Sequence, residues 1–314
     1  MDRLVWLTQQ RWLAEGVHEL RFRASDGGEL PEWEPGAHIT ITLPNGQARD
    51  YSLCSDPADR TEWTVAVLRE RDSRGGSSYV HEQLRVGEQL AVAGPRNNFP
   101  LRPADSYLLI AGGIGITPIK AMAERLAAQE VEWSMLYCGR SRAGMAYLSE
   151  LHGIAGARLR LHCDDEQGGP PDLATILAGC ADGTQVYCCG PEALLAAVES
   201  QMVDPDLLHI ERFRAAAPVE ATGDESAFDV VCAGSGLRVT VQPGVSIVDS
   251  LASAGVEVLT SCREGICGTC ETKVLGGVPQ HRDSILTDQE RSAGETMMLC
   301  VSRCQSAELE LDLP

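Results

Sequence analysis

Three cysteines stand in the run SCREGICGTC as C-x4-C-x2-C, at Cys262, Cys267 and Cys270, and Cys300 follows further along the chain. That spacing is the plant-type [2Fe–2S] pattern. A loop that wraps such a cluster must aim three thiolates inwards while its backbone N–H groups face the sulfurs. Gly265 and Gly268 supply the unusual dihedrals and the close backbone approach that this requires. A structural zinc site is the competing use of four thiolates, but zinc ribbons present two short C-x2-C pairs and this loop has one. Cys304 is a spare thiol close to Cys300, and Cys232 falls in a strand pattern that suits a core position.

Further groups of residues carry binding chemistry. In RDYSL, Arg49 can pair with a phosphate, Tyr51 offers an aromatic body with a hydroxyl, and Ser52 adds a second hydroxyl. In RGGSSYVH, Gly75, Gly76, Ser77 and Ser78 precede an expected helix start, the equipment for holding a phosphate through backbone N–H groups. AGGIGITP places Gly112, Gly113, Gly115 and Thr117 between a strand and a helix, where a pyrophosphate-binding turn belongs, although Pro118 sits where the last glycine of G-x-G-x-x-G would fall. Cys189, Gly190 and Pro191 close a later strand, and Arg140 and Arg142 follow another in YCGRSR.

The elements that must position these residues change character along the chain. Over residues 1–105, HITITL (38–43) and EWTVAVLR (62–69) alternate with period two between turn-prone stretches, which predicts a small antiparallel barrel. Over 106–213 strands alternate with helices: YLLIA (107–111), WSMLYC (133–138), RLRLHC (158–163) and QVYCC (185–189) are the strands. A helix with Ile119, Met122, Ala123 and Leu126 on one face follows the first, with Thr117 expected as its N-cap and Pro118 at its first position. Pro191 opens another helix bearing Leu194, Leu195, Val198 and Met202. This is a doubly wound α/β pattern. Residues 214–226 read as a linker. Within 227–314, FDVVCA and LRVTVQP predict a hairpin, a helix is expected near 246–254, and LELDL is a last strand.

Composition narrows the function classes. The 314 residues carry a net charge of −19, and residues 217–314 hold six Lys and Arg against fifteen Asp and Glu. Nucleic acid is therefore an unsuitable partner, and the acidic C-terminal third can steer a basic protein towards itself. No run of 18 apolar residues and no export signal is visible, so a cytoplasmic location without membrane contact is expected. In a reducing compartment the twelve cysteines read as metal ligands where they cluster and as small hydrophobes elsewhere.

At this point a resemblance becomes specific. CREGICGTCETKVLGGVPQHRDSILTDQE (262–290) with LCVSRC (299–304) resembles the C-terminal ferredoxin domain of the phthalate dioxygenase, vanillate demethylase and carnitine monooxygenase reductases. RDYSL is similar to the flavin signature of ferredoxin-reductase-like proteins. The resemblance spans nearly the whole chain. It implies a multidomain fold: a β-barrel flavin domain (1–105), an α/β doubly wound NAD(P) domain (106–213), the linker, and an α+β β-grasp [2Fe–2S] ferredoxin domain (227–314). It further implies Ser52 near the reactive flavin nitrogen, Thr117 near both cofactors, Cys189 beside the nicotinamide, and Phe213 against the flavin ring. RGGSS and PRNNFPL (95–101) resemble the FMN-using rather than FAD-using members. Arg140 and Arg142 would suit the 2′-phosphate of NADPH, whereas the subgroup mostly uses NADH.

The implied chemistry needs all three parts. A nicotinamide gives two electrons as hydride, a [2Fe–2S] cluster accepts one at a time, and a flavin between them can do both. No side chain need act as general acid or base, and the protein positions the reactants and excludes water. The leading expectation is the reductase of a two-component Rieske-type oxygenase, with the Rieske/non-haem iron protein as its partner. Service to a cytochrome P450 is a second enzymatic reading, and a redox-sensing module a non-enzymatic one.

Overall fold

The computed structural model describes residues 3–214 and 225–314, so most of the expected linker lies outside the described residues. The chain divides into two compact units, Met1–Glu211 and Arg212–Pro314.

The first unit begins with an antiparallel sheet of β1 (Arg3–Ala14), β2 (Val17–Ala24), β3 (Ala37–Thr42), β4 (Ala48–Ser52), β5 (Trp63–Leu68) and β6 (Gln89–Asn97), with helix α1 (Gly76–Glu82) between the last two. The strand order is β4-β3-β6-β1-β2-β5, and the two edges curl together to meet at a bridge between Leu53 and Val65. Val5, Leu7, Phe22, Ile39, Ile41, Trp63, Val65 and Val92 fill the interior. β3 and β5 are buried along almost their whole length. On β5 the reason is packing: Trp63, Val65 and Val67 point into the barrel, while Ala66 belongs to a second core shared with the following α/β half. On β3 the outward Thr40 is covered by a polar lattice with Asp50 and Arg96.

That α/β half is built from β7 (Ser106–Gly112), α2 (Ile116–Ala127), β8 (Glu132–Gly139), α3 (Leu148–Ala155), β9 (Leu159–Cys163), α4 (Asp164–Gln167), α5 (Leu173–Ala178), β10 (Gln185–Cys189), α6 (Glu192–Glu199) and β11 (Leu208–Glu211). All five strands run parallel in the order β11-β10-β7-β8-β9. The chain leaves β7 in one direction and returns on its other side at β10, which makes the β7/β10 boundary the topological switch point, where such sheets bind ligands. The alternation of a strand places Cys188 and Cys189 in cores on opposite faces of the sheet.

One local expectation is corrected. Thr117 is not the N-cap of α2. A 3₁₀ turn over Gly113–Gly115 runs directly into the helix, Gly115 takes the cap position, and Pro118 is the third helical residue. With helical backbone already established before it, the Thr117 hydroxyl turns back and donates to the Ile114 carbonyl at 3.0 Å.

The second unit holds β12 (Phe228–Cys232), β13 (Arg238–Val241), α7 (Ile247–Ser253), β14 (Glu271–Gly276), β15 (Pro279–Gln280), α8 (Asp288–Ala293), β16 (Thr296–Met298), β17 (Arg303–Cys304) and β18 (Glu308–Leu311). The main sheet has the order β13-β12-β18-β14-β16 and is mixed, β12 and β18 being parallel. Ile247 and Leu251 of α7 pack with Val230, Cys232, Leu309 and Leu311, the grasp of a helix by a sheet. Helix α8, which the sequence reading passed over, starts with a full capping box in which Thr287 and Glu290 satisfy each other's backbone N–H groups. Among the described residues no helix is long and apolar enough to cross a membrane.

Candidate functional site

The flavin-motif residues lie on β4 and its approach to α1. The Arg49 guanidinium donates to the Ala48 carbonyl at 2.7 Å and to Gln47 Oε1 at 2.6 Å, which lays it along the first residue of α1. The fit is close: a Cβ on Gly76 would stand 2.9 Å from both Cγ and Nε of Arg49. The preceding loop is tied by Ser73, whose hydroxyl oxygen accepts from the N–H groups of Gly75 and Ser78, both at 3.2 Å, and from Ser77 Oγ at 3.0 Å. Ser73 was missed in the motif, which began at Arg74. A cation and a set of backbone N–H groups at the start of α1 thus share one corner. Tyr51 is half-buried, and burial pushes its hydroxyl pKa well up, so it remains a neutral hydrogen-bonding group.

The nicotinamide-motif residues meet at the switch point. In the register of the parallel sheet Cys189 pairs with Ala111, so the turn after β7 and the turn after β10 lie side by side. They touch backbone to backbone: a Cβ on Gly115 would sit 2.2 Å from the Cys189 carbonyl oxygen, a contact that only glycine permits. Tyr137 Oη donates to the Gly113 carbonyl at 3.2 Å and fixes the first turn from β8. Gly112, Gly113, Gly115, Thr117, Cys189, Gly190 and Pro191 are therefore brought together in one crevice.

The barrel reaches the same crevice through Ser52, and the contact is a residue that sequence reasoning missed. Glu211, at the end of β11, is the register partner of Cys189. Its Oε2 accepts from Ser52 Oγ at 3.5 Å and from Cys189 Sγ at 3.9 Å. Burial pushes the Glu211 carboxyl up to about 8, so it is protonated at neutral pH. Burial likewise holds the Cys189 thiol well above its ordinary value, so it is a neutral packing group. The signal available was positional: an acid at the carboxyl end of the strand beside the one that carries Cys189. Phe213, two residues on, lies past the end of the first unit and is 37% exposed.

Arg140 is exposed beyond β8, and its carbonyl accepts from Asp165 N at 3.1 Å. Arg142 is engaged in a two-pronged pair with Glu166, at 3.0 and 2.8 Å. Asp164, Asp165 and Glu166 give this end of the sheet an acidic lining.

The four cluster cysteines converge within the second unit. Cys262 hydrogen-bonds with Cys267 and with Cys300, and Cys300 with Cys270, giving a chain of sulfur contacts 267–262–300–270. These contacts draw the Cys262 thiol pKa down and push those of Cys267 and Cys300 up. Among the described residues only Cys163, Asp165 and Glu166 bring three ligand atoms within 4.8 Å of one another, so no three of the four cluster sulfurs are that close. Four thiolates on one tetrahedral zinc would all lie about 3.8 Å apart. The observed chain instead divides in a single way into two touching pairs, 262/267 and 270/300, which fits one pair for each of two irons. The loop backbone fits as well: Glu264 N donates to Cys262 Sγ at 3.3 Å, and Gly265 has φ +70° where a Cβ would meet Val301 at 2.6 Å. Cys304 is elsewhere, its thiol donating to the Ser306 carbonyl at 3.0 Å, and Cys232 is core.

Comparison with known proteins agrees with this geometry. The family model described as "2Fe-2S iron-sulfur cluster binding domain" matches residues 230–305, and that of the "Dimethylamine monooxygenase subunit DmmA-like, N-terminal domain" matches residues 96–211. Phenoxybenzoate dioxygenase subunit beta of Ectopseudomonas oleovorans is 46% identical over 300 residues, covering 95% of this chain and 92% of that protein. The crystal structure of an intact type IV self-sufficient cytochrome P450 monooxygenase is 42% identical with a TM-score of 0.91, covering 99% of this chain, which spans only 41% of that longer one. Phthalate dioxygenase reductase, described as a modular structure for electron transfer from pyridine nucleotides to [2Fe–2S], is 34% identical with a TM-score of 0.73, covering 99% of this chain and 98% of that one. The chain belongs to the phthalate dioxygenase reductase family of oxidoreductases, which join ferredoxin-reductase-like flavin and nicotinamide modules to a [2Fe–2S] ferredoxin.

Proposed function

We propose that this chain is the cytoplasmic reductase component of a two-component Rieske-type oxygenase, drawing electrons from NADH and delivering them to the oxygenase protein. The observation that carries the reading is the coexistence, in one chain, of a switch-point crevice facing Ser52 and a set of four thiols divided two by two. When bound, the flavin and cluster supply the conversion of one two-electron donation into two single-electron deliveries.

The residues have distinct parts. Arg49 and the N–H groups of Gly76 and Ser77 would bind the flavin phosphate, as expected for FMN, which has no adenylate half to house, while Gly75 and Ser78 shape the loop through their bonds to Ser73. Tyr51 would hold the flavin through its aromatic body and hydroxyl. Gly112, Gly113, Gly115, Gly190 and Pro191 admit the dinucleotide backbone, and Thr117 and Cys189 border the nicotinamide. Ser52 holds a hydrogen bond at the flavin edge while the protonated Glu211 carboxyl orients it and keeps the crevice uncharged. Arg140 serves the adenosine end. NADH is favoured over NADPH because Arg142, the other cation there, is already neutralised by Glu166 beside Asp164 and Asp165, an acidic lining that repels a 2′-phosphate. Cys262 with Cys267, and Cys270 with Cys300, hold the cluster. The domains accordingly divide as 1–105, 106–213 and 227–314.

An anaerobic NADH titration followed by absorbance tests this directly. Bleaching of both a flavin and a [2Fe–2S] band, with FMN released on heating and two irons per chain, is the expected result. Zinc in place of iron and sulfide, or a flavin untouched by NADH, would sink it. The 42% identity to part of a self-sufficient P450 favours a second reading, service to a P450 haem. Turnover of a purified Rieske oxygenase against that of a P450 separates the two.

A further inference from the structure

A buried lysine joins the two halves of the first unit, and the motifs leave it without a role. Lys120 of α2 is 7% exposed. Its ammonium donates to the Cys54 carbonyl of the barrel at 3.0 Å and to Glu124 Oε1 at 2.6 Å, and it lies 5.2 Å from the centre of the Tyr147 ring. Tyr147 reaches Cys54 from the other side, its hydroxyl 3.2 Å from the thiol, and it does so from a left-handed backbone at φ +61°. A bulky residue holds that conformation only where its surroundings over-determine it. The Cys54 N–H, meanwhile, stays in the barrel, donating to the Thr64 carbonyl at 2.9 Å. Cys54 is thus gripped by both halves at once.

The position of this grip gives it a consequence for the crevice. Cys54 lies two residues after Ser52, and Leu53 between them is pinned by its own N–H to the Ala37 carbonyl at 2.8 Å. Lys120 lies one helical turn after Thr117 on the same face of α2, the face whose Ala121 enters the barrel core. One hydrogen bond therefore connects the strand end bearing Ser52 with the helix bearing Thr117. Burying an ammonium is a costly way to fasten two surfaces, since an apolar side chain of similar size would stabilise the same interface as well or better.

We infer that Lys120 is a positioning residue for hydride transfer, its bond to the Cys54 carbonyl setting the distance between the flavin side and the nicotinamide side of the crevice. The inference rests on the functional reading above and adds to it a residue that touches neither cofactor. Lys120→Met, in the full-length protein with its cofactors, separates positioning from simple support. It should keep its flavin and the wild-type KM for NADH, while the loss of Glu124's partner lowers its melting temperature. Flavin reduction in anaerobic stopped flow should slow by about tenfold or more, since misplacement of reacting atoms by roughly 1 Å carries penalties of that order. The long-wavelength absorbance formed on mixing reduced protein with NAD⁺ should weaken. Amide exchange at Leu53–Ser55 should quicken about tenfold with no nicotinamide present, and Lys120→Arg should recover part of each loss. If Lys120→Met does not fold, the double change with Glu124→Gln removes both charges and carries the same expectations. A reduction rate within twofold of wild type together with unchanged exchange at Leu53–Ser55 overturns the inference. Should NADH fail to reduce even the wild-type flavin, the functional reading falls, and the amide exchange alone decides Lys120.

Discussion

Ser52, Cys189 and Glu211 each stand at the end of a hydrogen-bonded strand, whereas Cys262, Cys267 and Cys270 stand in a stretch without helix or strand. The first group is placed by sheet register and two packed cores, so its geometry exists before any cofactor arrives. The second is placed by a bend whose conformation depends on Gly265, Gly268 and a left-handed Arg263, tied to the rest of its unit by bonds such as Ser284 N to the Gly265 carbonyl at 2.9 Å. A positioning site for hydride tolerates no slack and gains from a rigid scaffold. A metal-ligand loop can leave part of its order to the metal–sulfur bonds, because binding energy there is also folding energy. Changes in the two regions should therefore fail in different ways.

The sharpest division comes from Cys270→Ser. Loss of one thiolate from its touching pair should cost the cluster, and NADH-driven cytochrome c reduction should fall by roughly a hundredfold or more. Flavin reduction by NADH in the same protein should stay near the wild-type rate. If both rates collapse together, the two regions are not independent and the contrast is wrong. Gly115→Val makes the opposite break. Its branched side chain would run into the Cys189 carbonyl, and overpacking of this kind costs about 1–3 kcal/mol. The measured result should be a KM for NADH raised about tenfold, with iron and sulfide content unchanged.

How much of this was legible follows the same division. The cluster ligands could be read from spacing alone because three of four are consecutive in one loop, and the chemistry dictates that spacing. The glycines of the crevice were readable for a related reason, since a strand–turn–helix junction is local. Glu211 was not, because its meaning depends on β11 lying beside β10 and on β4 ending opposite both, contacts that join residues 159 and 22 positions apart. Lys120 and Cys54, 66 positions apart, were hidden in the same way. Thr117 was misread at the level of a single turn: its type and the following proline suit a helix cap, but the glycines before it had already begun the helical backbone as a 3₁₀ turn.

Glu211→Gln sharpens the strand-end side of the comparison with a smaller effect. Burial raises the folded-state pKa of this carboxyl from 4.5 to about 8. The sign follows from that direction: its contribution to stability is full below about 4.5 and is lost as pH rises through about 8. Glutamine keeps the acceptor for Ser52 and never ionises. The variant should therefore lose the fall in stability of the first unit that this carboxyl causes between about pH 4.5 and 8, measured by thermal melts. Its flavin-reduction rate should change by no more than a few-fold at pH 7, where the native carboxyl is already neutral. A fall over that range that persists unchanged in the variant would assign the titration to another group.

The smallest expected effect bears on the loop. Cys304 is close to Cys300 in sequence and was a plausible alternative ligand on that ground, yet β17 carries it to a different place. There its thiol contacts the Ser306 carbonyl at 3.0 Å and the Ser306 hydroxyl at 3.1 Å. A serine hydroxyl can make both contacts, being donor and acceptor in one atom. Cys304→Ser should therefore retain two irons and two sulfides per chain, reduce cytochrome c at the wild-type rate, and melt within about 0.5 kcal/mol of wild type. The same substitution at Cys300 should empty the site, because there the sulfur belongs to the 270/300 pair and oxygen is a poor substitute for a soft thiolate on iron. If the two variants exchange behaviours, the fourth ligand is Cys304, and the pairing that separates two irons from one zinc no longer holds.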